Sequence, residues 1–111
     1  MTWRPFSYAG AGARGSEGGE VLCDEEYDGC ARITLEQGGR AAPFAITCGI
    51  YGWMVHTRFF RDGAAAEGSY KAMKSDLAAI VEAIPLEEES DLKARISASM
   101  AAIERFVAKF P

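Results

Sequence analysis

Residues 20–37, EVLCDEEYDGCARITLEQ, decide the fold, because they predict a β-hairpin with one apolar and one polar face. Its loop, Tyr27-Asp28-Gly29, ends on a glycine, which adopts the left-handed backbone of such a turn without steric cost. This loop would place Asp24 directly opposite Arg32 as a favourable cross-strand charge pair. The apolar face would then carry four side chains, Val21, Cys23, Ile33 and Leu35.

Two further turns extend this hairpin into a four-stranded antiparallel meander. Gly38-Gly39 predicts a two-residue hairpin, and Gly49-Ile-Tyr-Gly52 predicts a four-residue turn that pairs Cys48 with Trp53. An alternative is one long strand over residues 45–60 with glycine bulges. In the hairpin register the fourth strand directs four side chains outward, Met54, His56, Arg58 and Phe60, and four inward, Trp53, Val55, Thr57 and Phe59.

After Gly63 the apolar period changes from two to about 3.6, which predicts two helices. Pro85 would end the first helix, and the second would run from about Glu88 to Lys109. The first apolar stripe contains Met73, Leu77, Ile80, Val81 and Ile84. The second contains Leu92, Ile96, Met100, Ile103, Phe106, Val107 and Phe110. The predicted fold is α+β, a two-layer ββββαα sandwich with the helical hairpin on one face of the sheet.

The chain has 111 residues, enough for one domain with a single buried core. Residues 1–19 are predicted to form a Gly-rich N-terminal arm with a flexible second half, and residues 20–111 a single α+β domain. Three aromatic side chains are expected to anchor the arm on the domain or on a partner subunit: Trp3, Phe6 and Tyr8.

Charge and cysteine content exclude several classes of protein. The net charge of −4 disfavours binding to a phosphate backbone, so no nucleic-acid partner is expected. No apolar run approaches the ~18 residues that span a bilayer, and the N-terminus lacks a signal-peptide pattern. Three cysteines, an odd number, do not form a disulfide framework. We therefore expect a reduced, cytoplasmic protein without a membrane partner.

Cys48 and His56 raise the question of a thiol active site, with Tyr51 in the turn between them. A nucleophilic cysteine needs a base within hydrogen-bond reach. The predicted register directs Cys48 into the core and His56 to the other face, which favours a structural role for both. A mixed polar and aromatic surface is the alternative use of this region, with six candidate binding residues: Arg32, His56, Arg58, Tyr51, Trp53 and Phe60.

Three other motifs resemble sites but lack the required context. The GxGxxG string at residues 10–15 has no strand before it and no helix after it, as a dinucleotide site requires. The spacing of Cys23 and Cys30 does not match a zinc knuckle. Carboxylates at residues 87–91 suit a solvated helix start. We expect no metal and no cofactor.

The apolar surplus at the ends of the fourth strand favours a partner interface, most simply with a second copy of the chain. The preferred hypothesis is therefore a small non-enzymatic binding or interaction protein that acts as a homodimer or as the small partner of another protein. Alternatively, the same apolar surface could form a groove for a small ligand. The alternative function is a thiol-dependent or acid–base enzyme that uses Cys48, Tyr51 and His56.

Overall fold

The computed structural model describes residues 2–6, 13–83 and 92–111. It confirms the α+β fold: an antiparallel meander in which each strand pairs with the next along the chain, followed by two helices. The described residues form five strands instead of the predicted four. The elements are β1 (Trp3–Pro5), β2 (Glu20–Tyr27), β3 (Ala31–Gln37), β4 (Phe44–Ile50), β5 (Met54–Phe60), α1 (Gly63–Ala83) and α2 (Leu92–Lys109).

The additional strand, β1, lies at the edge beside β2 and was too short to show a sequence period. Trp3 pairs with Tyr27, and their rings lie 5.1 Å apart. The predicted arm falls partly on residues 7–12, which lie outside the described residues. The segment after them, residues 13–19, returns along β2 and forms a bridge between Arg14 and Glu20.

The β2–β3 hairpin differs from its predicted register by two residues. Both central residues of its turn have positive φ, Asp28 at 47° and Gly29 at 72°, as the mirror-image hairpin turns require. Tyr27 therefore pairs with Ala31. An even shift keeps each side chain on its predicted face, so the Asp24–Arg32 ion pair persists on a diagonal.

A β-bulge between Val21 and Cys23 corrects one predicted position in the core. Val21 pairs with Glu36, while Cys23 pairs with Leu35, so one extra residue of β2 lies between the two pairs. The bulge reverses the direction of the side chains before it, because side chains alternate along a strand. Val21 therefore lies buried on the outer face of the sheet, not on the helix face.

The β3–β4 connection spans residues 38–43 and is longer than the predicted two-residue turn. Gly38 takes positive φ and donates to the Pro43 carbonyl at 2.8 Å, while the Arg40 amide donates to Glu17 of the N-terminal segment. The longer connection shifts the β3–β4 register from the predicted one by an even number of residues. The inner face is therefore as predicted, with the buried side chains Ala31, Ile33, Leu35 and Ile46.

The predicted faces of β5 are wrong, because the preceding turn moves the register by an odd number. The turn contains three residues, 51–53, with Gly52 at φ 81°, and Ile50 pairs with Met54. Cys48 is consequently opposite His56 instead of Trp53. The helix face of β5 carries Met54, His56, Arg58 and Phe60, and the outer face carries Val55, Thr57 and Phe59.

Helix α1 covers the centre of the sheet with the predicted stripe: Met73, Leu77, Ile80 and Val81 are all buried. Ile84, Pro85 and the acidic run after them lie outside the described residues. Phe106 of helix α2 and Phe110, which directly follows the helix, are both buried as predicted. Met100 is 54% exposed and Val107 36%, so these two predicted core positions are wrong. The reason is that α2 packs beside α1 and near the sheet edge, so it needs a narrower apolar stripe.

A part-buried cluster ties α1 to β2. Glu25 accepts hydrogen bonds from the Tyr70 hydroxyl at 2.7 Å and from Lys74 Nζ at 2.8 and 2.9 Å. Burial alone would raise the pKa of Glu25. The hydrogen bonds from Lys74 and Tyr70, with the charge of Lys74, outweigh it and hold that pKa below its ordinary value. The cluster therefore favours the ionised carboxylate in the folded protein.

We expect the Glu25 carboxylate to make stability depend on pH below neutrality. A lowered folded-state pKa means that the unfolded chain binds more protons in acid, so the free energy of unfolding falls as pH drops through the folded pKa. Urea unfolding from about pH 6 down to about pH 3 should show this loss in wild type and a smaller loss in Glu25→Gln. The exposed Glu104→Gln should follow wild type. Equal pH dependence in Glu25→Gln and wild type would contradict the assignment.

Candidate functional site

The structure divides the six predicted binding residues between the two faces of the sheet. Arg32 lies on the outer face, and Tyr51 and Trp53 lie in the β4–β5 turn. The other three, His56, Arg58 and Phe60, face the helices. The sequence therefore predicted a single patch that the fold does not assemble, because the odd register shift reverses β5.

The same shift brings Cys48 and His56 onto one face as directly opposed residues, contrary to the predicted arrangement. Cys48 is 2% exposed, and burial raises the pKa of its thiol to about 12. A hydrogen bond joins His56 Nε2 to the Phe110 carbonyl. Tyr51 lies elsewhere, with its hydroxyl donating to Glu26 at 2.9 Å. The three predicted catalytic candidates therefore do not converge on one reacting position.

The outer face of the sheet instead contains a cavity of about 750 Å³. Strands β2 to β5 form its floor, the segment at residues 13–16 forms one wall, and the turn at residues 51–53 forms the other. Side chains on this floor include Val21, Asp24, Arg32, Thr34, Thr47 and Val55. Gly49 leaves part of the floor without a side chain. We call this feature the outer-face cavity.

A buried carboxylate holds the first wall in place. Glu36 is 1% exposed, and its Oε1 accepts from the amides of Glu17 and Gly19, both at 3.1 Å. Gly15 passes so close that a Cβ there would lie 1.9 Å from Glu36 Oε2. Sequence reasoning missed this clamp. The glycines at 15, 18 and 19 were the available signal, because they allow a backbone to approach a side chain closely.

A second cluster closes the other end of the floor. Arg32 donates through Nε and Nη2 to the two carboxylate oxygens of Asp24, at 2.9 and 2.7 Å. The Phe6 ring lies 3.8 Å from its guanidinium carbon. Burial and the neighbouring Glu26 carboxylate raise the pKa of Tyr51, which keeps its hydroxyl protonated as a donor. The charges of this cluster are thus satisfied within the protein.

Between these clusters, uncharged hydroxyl groups cross the sheet. Thr47 Oγ1 lies 3.1 Å from Ser16 Oγ and 3.2 Å from Thr57 Oγ1. Thr34 Oγ1 also approaches the Thr47 carbonyl at 3.4 Å. This hydroxyl row joins the N-terminal wall to β5. The sequence pattern placed Thr57 on the inward face of its strand and Ser16 in the N-terminal arm, so it did not predict this row.

No protein-family model matches the chain, and no match was found among curated proteins or among solved structures. Within the described residues, no group of three or more histidine, cysteine or acidic side chains is arranged to hold a metal ion. None of the helices in the same part of the chain is long and apolar enough to cross a membrane.

Glu36→Gln should destabilise the fold by about 1–3 kcal/mol, because a neutral amide replaces a buried charged acceptor of two backbone amides. Urea unfolding measures the loss. Hydrogen exchange at Glu17 and Gly19 should accelerate at the same time, since both amides lose their charged partner. Glu67→Gln, on an exposed part of α1, is the control. Unchanged stability and exchange in Glu36→Gln would show that the clamp is unimportant.

Cys48 should react with iodoacetamide at pH 7 about a thousandfold more slowly than an exposed cysteine, because burial disfavours the reactive thiolate. Pulsed labelling followed by mass spectrometry of peptides would compare it with the half-buried Cys23 and Cys30. In urea all three thiols should react at similar rates, which controls for local sequence. Labelling of native Cys48 as fast as Cys30 would refute the structural role and support the thiol enzyme.

Proposed function

We propose that the protein is a non-enzymatic binding protein that works as a homodimer joined along β5. The main support for this proposal is that β5 is an exposed, apolar edge strand. β5 is an edge of the sheet among the described residues, and its outer face exposes Val55 at 81% and Phe59 at 47%. An exposed apolar edge strand is a template for pairing with another strand.

The backbone alternation of β5 supports pairing at this edge. The Tyr51 amide donates to the Cys30 carbonyl at 2.9 Å, which makes the adjacent Ala31–Ile50 pair non-hydrogen-bonded. Ile50 therefore directs its own N–H and C=O toward β5. By the same alternation, three residues of β5 direct their backbone N–H and C=O groups toward the open edge of the sheet: Val55, Thr57 and Phe59.

These three residues are self-complementary in an antiparallel pair centred on Thr57. Thr57 would face Thr57 of the second copy, and Val55 would face Phe59 twice, as a two-fold axis requires. Aromatic with β-branched pairs and threonine with threonine pairs are favourable across strands. Each of these pairs would also exchange two backbone hydrogen bonds.

Neighbouring registers are less favourable. Centring the pair on Arg58 would oppose two like charges, and centring it on His56 would place Val55 opposite Thr57 instead of Phe59. The edge-directed backbone groups and these side-chain pairs together favour the register centred on Thr57.

β5 lacks the features that usually protect an edge strand. Residues 54–60 contain no proline, glycine or lysine. The single basic residue, Arg58, turns toward the helices, where its Nη1 donates to Ser69 Oγ at 2.7 Å. Helix α2 lies over β5 and exposes Met100 and Val107, which are seven positions apart and share a helix face. In the dimer the two α2 helices would become neighbours above the joined strands.

A thiol-dependent or acid–base enzyme at the turn remains the second candidate. The direct opposition of Cys48 and His56 favours it. The raised thiol pKa and the bond between His56 and the Phe110 carbonyl oppose it, because they remove the thiolate and occupy the base. We also propose a reducing, cytoplasmic setting, which the three free thiols support, and no nucleic-acid partner, which the net charge supports.

Wild type should run in light scattering at twice the 12.0 kDa mass of the chain at micromolar concentration. Thr57→Pro should weaken the dimer about 100-fold or more, because it removes an edge-directed donor and obstructs the partner strand. The monomer should tolerate this proline, since the lost N–H is not bonded to β4.

Thr57→Val keeps the backbone donor and the shape of the side chain, so it is the matched control and should remain dimeric. Circular dichroism would confirm that all three proteins fold. A monomeric wild type would refute the proposed dimer. A Thr57→Pro variant that dimerises as well as wild type would show that β5 is not the interface.

A further inference from the structure

We infer that the outer-face cavity binds a neutral aromatic molecule that carries a hydroxyl group, and that Phe59 of a second copy forms part of its rim. The second part rests on the proposed homodimer, whereas the first concerns one chain alone. Size, apolar surface, hydrogen-bonding groups and charge each constrain the ligand.

The volume suits a small organic molecule. Ligand cavities commonly measure ~300–1,000 Å³, and the outer-face cavity measures about 750 Å³. Its walls come from the N-terminal segment and the β4–β5 turn, which are distant in sequence and converge over one sheet face. The Glu36 clamp holds the first wall, and the bond from the Tyr51 amide to the Cys30 carbonyl holds the second.

Apolar groups line opposite sides of the floor. Val21 lies at one side because of the β2 bulge, and Val55 lies at the other. Between them Gly49 presents bare backbone, and Tyr51 and Trp53 border the cavity at the turn. Glycine within a strand often marks the close approach of a ligand or another backbone. A flat ring fits such a floor better than a branched chain does.

The uncharged polar side chains that line the cavity are hydroxyls. Ser16, Thr34 and Thr47 line the cavity, and each hydroxyl has two acceptor lone pairs. The contacts within the hydroxyl row leave acceptor positions available to a ligand donor. A ligand hydroxyl can donate to one of these oxygens and accept from another, because the protein hydroxyls rotate.

Charge argues against an ionic ligand. The cavity is lined by three charged side chains, and two of them, Asp24 and Arg32, neutralise each other through a bidentate pair. The third, Arg14, is exposed at the wall, where its Nη1 approaches the Gly18 carbonyl at 3.4 Å. A carboxylate bound at the floor would have to break the Asp24–Arg32 pair, which is costly, or reach Arg14 at the exposed wall. A neutral molecule at the floor leaves that pair intact.

The dimer register connects the cavity to the second copy. Val55 borders the cavity and is the most exposed large apolar residue described in the chain. In the pairing centred on Thr57, it lies opposite Phe59 of the second copy. That ring would cover Val55 and extend the apolar rim of each cavity across the two-fold axis.

Fluorescence titration with 2-naphthol and 2-naphthoate tests the ligand class, because the two probes share a ring system and differ in a neutral hydroxyl against a carboxylate. Wild type should bind 2-naphthol at least about tenfold more tightly than 2-naphthoate. Equal affinities, or tighter binding of 2-naphthoate, would overturn the inference of a neutral ligand.

Thr34→Trp tests the location, because it fills the floor of the cavity. It should weaken 2-naphthol binding at least about tenfold, whereas Thr2→Trp, the same substitution at an exposed position, should leave it unchanged. Circular dichroism would confirm that Thr34→Trp is folded. Wild-type affinity in folded Thr34→Trp would show that the probe binds elsewhere and overturn the site.

Thr57→Pro tests whether ligand binding in the cavity depends on the dimer. If Phe59 of the second copy contributes, monomeric Thr57→Pro should bind 2-naphthol about three- to tenfold more weakly than dimeric Thr57→Val, which lacks the same hydroxyl. Equal binding by the monomeric variant would overturn the shared rim and leave the dimer standing. A monomeric wild type that still discriminates the probes and loses binding in Thr34→Trp would overturn the dimer and support the cavity.

Discussion

Burial of the inner face of β3 and β4 beneath α1 is the constraint on which the rest of the structure depends. Ile33, Ile46 and Ile50 are almost completely buried there, against Met73 and Leu77 of the helix. Because side chains alternate along strands, fixing this face also assigns every neighbouring position to the outer face. The outer-face cavity exists because one helical layer covers one side of the sheet and leaves the other to the N-terminal segment.

The outer face is covered through hydrogen bonds and ion pairs of charged side chains, which the inner face does not need. The segment at residues 13–19 contributes few apolar side chains, so a buried carboxylate, Glu36, holds it through backbone amides. Arg32 is similarly held by Asp24 and Phe6. Both interactions satisfy charge within the protein, so the remaining groups that face the cavity are hydroxyls, apolar side chains and the exposed Arg14. Stability and the proposed binding chemistry thus depend on the same arrangement.

The turns explain which sequence-based predictions succeed. An error in turn length shifts the strand register by a whole number of residues. An even shift keeps every side chain on its predicted face, whereas an odd shift moves every side chain to the other face. The first two predicted turns were wrong by even numbers, so the inner residues of β3 and β4 were still correct. The third was wrong by an odd number, so β5 was reversed, and the candidate pair Cys48 and His56 was placed on opposite faces. The six residues of the predicted binding surface are divided between the two faces of the sheet for the same reason.

The amino-acid sequence by itself determined the alternation of the strands, the 3.6-residue period of the helices and their order, because these are local properties of neighbouring residues. It also determined the apolar character of β5. The tertiary structure decided the length of each turn, the bulge at Val21 and the burial of Glu36, because each depends on contacts between segments distant in the chain. Since the outer-face cavity is built from those contacts, no pattern of spacing predicts it.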